Sequence, residues 1–456
     1  MPNMSTTVEP NSKIVVGGGI AGLLSSILLK TNNPTQAVFL IEAQSQCGGL
    51  LRSIKSPEGY EFDYGTHILG QTGIEALDAI LFEKVEPQHW YELQQLKPGN
   101  VFNGYFHQYS QLPYVKALPP ATLEKATYEL LSADFEQADD STNLDQYCRS
   151  VYGDTFTEVV FEPLLNKLFG VGLTQLDKSA HKLFGYERLI IGHARMMREL
   201  KKNPHFDRIL AFESYDEGVS SSLNYYPKNG KGIGLWVDNL VQQALDLGVE
   251  ILTDTTIKQI DTDGNQVTAI HTPEQQLNCD QLIWTAPLFP LIKLTSLPFT
   301  PQYRPTLRSV CLVHFVFDRK FLTHNFHVYC NEPQMKSFRI TLYANIAANN
   351  EVNGAYRCSV EILLDDEIDN IQEVILAELI TMGVVDAQAK VLYRAKDLLN
   401  NGFPVYTNQF VNELHRQVDC VSNGLENVTL LGKASANNFF MNDVLVEVFN
   451  RLGDKP

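Results

Sequence analysis

The run Lys13-Ile-Val-Val-Gly-Gly-Gly-Ile-Ala-Gly-Leu-Leu-Ser-Ser-Ile-Leu-Leu-Lys30 constrains the fold more than any other part of the chain. Its β-branched apolar start predicts a strand, the glycines a tight turn, and the apolar spacing that follows a helix. Gly17, Gly19 and Gly22 fit G-x-G-x-x-G. In that pattern the first glycine permits the turn, the second lets a pyrophosphate approach the backbone, and the third lets helix and strand pack closely. Phosphate charge then meets the helix N-terminus. A second apolar strand beginning at Ala37 ends in Glu42, 20 residues after Gly22, where a carboxylate can accept hydrogen bonds from a ribose 2′-OH. The fold class that follows is α/β, with a Rossmann-like dinucleotide-binding domain.

The rest of the composition narrows what surrounds that domain. At 456 residues the chain exceeds the size at which one core stops growing, so two or three coupled domains are expected. Its 36 Lys and Arg against 53 Asp and Glu give a net charge of −17, with no compensating basic patch, which argues against nucleic acid as a partner. No run is long and apolar enough to predict a membrane span. The polar segment Met1–Ser12 lacks the pattern of a secretory signal. The seven cysteines include no C-x-x-C pair and read as reduced thiols, so a cytoplasmic location is expected. No grouping of His324 and His327 with further ligands suggests a metal site.

The next stretch, Glu42-Ala-Gln-Ser-Gln-Cys-Gly-Gly-Leu-Leu-Arg-Ser53, resembles the second glycine pair and arginine of the large FAD superfamily that contains amine oxidases, protoporphyrinogen oxidase and UDP-galactopyranose mutase. The resemblance implies FAD as cofactor. Gly48 and Gly49 would bring backbone close to it, and Arg52 would supply charge to its pyrophosphate or ribityl side. Further along, Asp63-Tyr-Gly-Thr-His-Ile-Leu-Gly resembles the mutase segment beside the isoalloxazine ring, which implies cofactor contacts for Gly65 and Thr66 and a catalytic place for His67. A histidine there can tune charge near the flavin because it titrates close to neutral pH. Phe338-Arg339-Ile-Thr-Leu-Tyr is similar to the mutase strand whose arginine binds the nucleotide diphosphate, and Arg188 is similar to a second such arginine in the helical region. Phe403-Pro-Val-Tyr and Gly432-Lys433-Ala-Ser, followed by Met-Asn-Asp443-Val444, resemble the C-terminal flavin segment.

Organisation along the chain fits a discontinuous cofactor domain. Residues 1–75, 222–296 and 425–456 are assigned to FAD binding, 76–120 and 297–424 to a sheet-containing substrate domain, and 121–221 to a helical subdomain. Strands are predicted at Val310–Asp318, Phe338–Ala344 and Arg357–Leu364, and Asp263-Gly264 signals a hairpin. Pro163, inside the helical pattern Phe156–Phe169, predicts two short helices meeting at a bend.

The departures from the mutase pattern bear on the substrate. Phe403 and Phe439 stand where the mutases carry diphosphate-binding tyrosines, and Lys433 stands where an arginine is usual. Asn437 and Asn438 offer amide donors in the same loop. The leading expectation is a flavoenzyme acting on a nucleotide-activated sugar, by a pyranose/furanose isomerisation through reduced flavin N5, supplied with electrons by an external reductant. The alternative is an FAD-dependent oxidase or dehydrogenase of the amine oxidase or protoporphyrinogen oxidase type.

Overall fold

The computed structural model describes residues 12–214, 222–346, 354–364, 368–438 and 440–453. Met1–Asn11 and Phe439 lie outside the described residues. In the first sheet, strands Glu250–Leu252, Val38–Ile41, Ser12–Val16 and Gln276–Trp284 run parallel, and Val428–Leu430 pairs in parallel with the last of them. The hairpin at Gly264 adds Gln266–His271 and Gln259–Asp263 antiparallel. One sheet therefore gathers the beginning, middle and end of the chain.

Both faces of this sheet are covered, which is why its strands read as unbroken apolar runs. Ile14 and Val16 point to a core shared with Leu282, Trp284, Leu291 and Val421, under helices Leu288–Leu294 and Asn408–Gly424. Val15 points the other way, into Leu24, Ile27, Trp236 and Val448 of helices Ile20–Asn32, Gly234–Asp246 and Met441–Leu452.

The second sheet orders Val391–Pro404, Leu307–Phe317, Tyr356–Leu364, Arg339–Leu342, His327–Cys330, Pro98–Phe102 and Tyr105–His107. Its three expected strands are present. The long edge strand Val391–Pro404, which carries Phe403, had no period-2 signal strong enough to be predicted. Trp90–Leu93, grouped by sequence with this sheet, instead pairs with Asn224–Pro227, which also pairs Leu69–Gly70.

Alternation gives the second sheet two unlike faces. Cys311, Val313, Phe315, Val328, Ile340, Leu342, Val360 and Ile362 pack beneath helix Ile371–Thr381. The intervening residues include His314, His327, Tyr329, Arg339, Thr341, Ser359 and Glu361, a polar set that is nonetheless buried or half-buried. Strand registers place Tyr329 opposite Arg339 and Arg339 opposite Glu361. A buried polar sheet face requires partners or function.

Against the second sheet lies a helical region whose core includes Tyr152, Phe156, Phe161, Leu165 and Phe169, with Phe102, Tyr329 and Phe338 from the sheet side. Around Pro163 the expected pair of short helices is joined by a π turn. Asp154–Phe156, the π-helical Thr157–Phe161 and Glu162–Phe169 follow without a break. The Glu162 N–H bonds back to Thr157, five residues earlier, and this wider turn accommodates a proline that has no N–H to donate. No helix among the described residues is long and apolar enough to cross a membrane.

Candidate active site

The cofactor cradle is built mainly from backbone. Gly17 has φ +103°, and a Cβ there would lie 2.4 Å from Thr285 Oγ1. A Cβ on Gly22 would meet the Gly17 carbonyl at 1.8 Å, so helix Ile20–Asn32 approaches the strand end only because Gly22 has no side chain. Gly19 differs from both: nothing lies within 4 Å of its Cβ position, and Gly49 has only the Gly19 Cα, at 3.9 Å. These two glycines face open space at the N-terminus of the helix, a cradle suited to a pyrophosphate. Gly48, at φ +114°, donates its N–H to Gly18 O at 2.7 Å and so docks the second glycine pair on the first turn.

Glu42 lies at the end of its strand, half-buried, with Oε2 accepting from the Gly18 N–H at 2.6 Å and Oε1 from the Gln44 N–H at 2.8 Å. Arg52 is half-buried, donates from Nε to Gly49 O at 2.9 Å and lies over the Tyr64 ring at 5.6 Å. The C-terminal segment closes on the same helix. Gly432, at φ +62°, has Ala21 Cβ only 2.9 Å from its own Cβ position, with Val444 beside it. Val444 is buried, whereas Asp443 is exposed in the first turn of helix Met441–Leu452.

A second group of expected residues gathers around Arg339. Thr66 Oγ1 lies 2.5 Å from Thr341 Oγ1, and the Thr66 N–H donates to Glu361 Oε1 at 3.0 Å. Arg339 donates to Glu361 through Nε at 2.5 Å and Nη2 at 2.7 Å, and through Nη1 to the Tyr329 hydroxyl at 3.4 Å. Its charge is reinforced: burial opposes it, but Glu361 and Tyr329 outweigh that and raise its pKa.

Charge links the two groups. Burial, with Arg339 and Lys433 adding to it against the opposing pull of Glu361, pushes the His67 pKa down to about 4. The imidazole is therefore neutral at pH 7. Its buried Nδ1 has no hydrogen-bond partner among the described residues. Lys433 is accessible to solvent yet enclosed enough that desolvation lowers its pKa, as expected for a side chain lining a cleft. His327 is held neutral in the same way, at about 3, by burial and Arg339.

Other expected substrate residues lie apart from this cluster. Phe403 stacks into an aromatic wall with Phe169 at 5.8 Å and Phe184 at 5.2 Å, and Phe184 meets Phe338, next to Arg339, at 5.2 Å. Arg188 is exposed and donates from Nε to Arg208 O at 3.2 Å, away from Arg339 in every contact it makes. Asn437 is exposed and Asn438 half-exposed in the loop after Lys433. Sequence reasoning missed Glu361, Tyr329, Thr341 and His327. The available signal was Glu361 itself, a lone carboxylate in the apolar run Ser359-Val-Glu-Ile-Leu-Leu364.

The open glycine cradle and the helix N-terminus beside it fit a flavin dinucleotide, and they define the protein as a dinucleotide-dependent enzyme built around two large sheets. The chain belongs to the family of flavin containing amine oxidoreductases, whose model matches residues 20–382, and its cofactor is FAD. Among curated proteins it is 21% identical, over 290 residues, to the coproporphyrinogen III oxidase of Staphylococcus aureus (strain NCTC 8325 / PS 47). That match takes in 60% of this chain and 60% of the relative's length. Among solved structures it superposes on reduced UDP-galactopyranose mutase with a TM-score of 0.75 at 15% identity, covering 97% of this chain and 93% of the other. It also superposes on a protein assigned as protoporphyrinogen oxidase from Exiguobacterium sp. 255-15, with a TM-score of 0.68 at 15% identity and 98% coverage of both.

Proposed function

We propose that the protein is an FAD-dependent isomerase of the pyranose/furanose mutase type, acting on a nucleotide-activated sugar. The observation that carries this reading is Arg339, a half-buried cation of the second sheet that Glu361 ties to the Gly65–His67 loop, with Lys433 of the C-terminal segment adding positive charge felt at His67. Positive charge beside this loop suits a substrate with a diphosphate. In its reduced state bound FAD supplies an electron-rich N5 able to act as a nucleophile.

In this reading the chain's own residues bind and orient. Arg339 and Lys433 hold the phosphates, and Thr66 and the peptide of Gly65 shape the floor beneath the sugar. His67, half-buried and uncharged at neutral pH, presents a neutral ring to the site without adding charge to it. The rings of Phe184, Phe338 and Phe403 exclude water from one side. The superposition on a mutase over nearly the whole of both chains supports the reading at the level of fold.

A second reading, an FAD-dependent oxidase or dehydrogenase, is favoured by a specific observation: Arg339 already has a carboxylate partner, and Phe403 offers no hydroxyl to a diphosphate. Titrating UDP into the oxidised and reduced protein while recording the flavin absorbance separates the two. A nucleotide-dependent spectral change supports the isomerase; none in either state supports the oxidoreductase.

A further inference from the structure

Three independent contacts converge on Glu361, whose side chain is only 9% exposed. Its two oxygens take Arg339 Nε and Nη2, the side-on edge of the guanidinium. Oε1 also accepts the Thr66 peptide N–H. Gly65 lies at φ +118°, and a Cβ there would stand 2.9 Å from Glu361 Oε2, so the loop comes this close only because residue 65 is glycine.

A guanidinium has two edges that can grip an oxyanion in a fork. With the side-on edge held by Glu361, and Nη1 only loosely engaged by the Tyr329 hydroxyl at 3.4 Å, the Nη1–Nη2 edge is the one whose remaining N–H groups are offered to a ligand. An anion that draws Arg339 forward lengthens its bonds to Glu361, and the same carboxylate carries the loop leading to His67. We propose that Glu361 is a positioning residue: it selects the edge of Arg339 offered to the substrate and ties that arginine to the loop Gly65–His67. Anion binding at Arg339 is thereby transmitted to the side of the site that faces the cofactor. The tie itself is internal to the chain, whereas its substrate end and its cofactor end both rest on the proposed reading of the site.

Coupling of this kind is a free energy that a double-mutant cycle measures. The test uses the FAD-loaded wild type, Arg339→Gln, Glu361→Ala, Glu361→Gln and the Arg339→Gln/Glu361→Ala double variant, after FAD content is checked. Hydrogen exchange at the Thr66 amide should accelerate about tenfold in Glu361→Ala and stay near wild type in Glu361→Gln, whose amide oxygen can still accept. Arg339→Gln should accelerate it severalfold when Glu361 is present and have no further effect in Glu361→Ala. Inorganic pyrophosphate, with binding followed by calorimetry, should perturb the flavin absorbance of the wild type and bind Glu361→Ala without that perturbation.

Unchanged Thr66 exchange in FAD-loaded Glu361→Ala, or equal effects of Arg339→Gln in both backgrounds, overturns the proposal, as does an undiminished flavin perturbation in Glu361→Ala. If Glu361→Ala fails to hold FAD, the cycle is run with Glu361→Met, which keeps the volume but has no oxygen to accept, and additive effects on exchange and absorbance overturn the proposal. If pyrophosphate does not bind the wild type, the diphosphate reading of the site fails, while the exchange cycle still decides the role of Glu361.

Discussion

The dinucleotide cradle and the polar face of the second sheet are built by opposite means. In the cradle, recognition comes from backbone exposed by missing side chains: Gly17 and Gly22 bring strand and helix together, and Gly19 and Gly49 leave room for the cofactor. On the second sheet, recognition comes from side chains on separate strands, Tyr329, Arg339 and Glu361, which meet only through register. A site made from omissions is sensitive to added atoms, whereas one made from charge pairs is sensitive to losing a partner.

That contrast can be broken most sharply within the cradle. Gly22→Val forces a side chain into the Gly17 carbonyl, and it should destabilise the fold by at least the roughly 1–3 kcal/mol of overpacking. Thermal unfolding of the FAD-free protein reads this directly. Gly19→Val meets only open space in the folded chain, so the unfolding midpoint of the FAD-free protein should stay within error of wild type while FAD occupancy collapses. Equal destabilisation by both variants would erase the distinction between a packing glycine and a cofactor glycine.

On the second sheet, Arg339→Ala should weaken nucleotide diphosphate binding by about 2–5 kcal/mol with FAD content unchanged, measured by calorimetry. Part of that loss reflects the Glu361 carboxylate left buried without its partner. Undiminished UDP affinity would move the phosphate contact elsewhere.

The smallest effect concerns pH. The folded-state pKa of His67, about 4, lies below the usual histidine value, so the unfolded chain binds this proton first. Stability from keeping the ring neutral is present above pH 6.5 and is lost as pH falls toward 4. His67→Gln should flatten the acid side of the unfolding profile by on the order of 1 kcal/mol per pH unit at most. Asp63, pushed up to about 6 by burial, acts in the opposite direction and remains in both proteins. An identical acid slope in His67→Gln would contradict a buried neutral imidazole.

The same contrast explains what could be read from the sequence. The cradle was legible because its requirements are local: glycine spacing and a carboxylate at a strand end fall within 42 residues of the start. Arg339 and His67 were legible through resemblance, each within a short recognisable segment. Glu361 was not, because its meaning depends on lying opposite Arg339 in a neighbouring strand and beneath Gly65, some 295 residues away from Thr66 in the chain. Phe403 stood out through its resemblance to a flavin segment, but its place in an edge strand against Phe169 and Phe184 is announced by no local pattern. Pro163 announced two helical segments but not the π turn that joins them, whose Val160 and Phe161 are buried in the surrounding helical core.

The central claim, that the site isomerises a nucleotide sugar without net redox change, is tested most directly by counting electrons. Protein reduced with dithionite under anaerobic conditions is freed of excess reductant and given nucleotide sugars, including UDP-galactose and amino- and deoxy-sugar nucleotides, with products followed by chromatography. Isomerisation gives many product molecules per reduced flavin, no consumption of an electron acceptor, and no turnover by the oxidised protein. Product formed one-for-one with acceptor reduced would contradict it and assign the protein to the oxidases and dehydrogenases of its family.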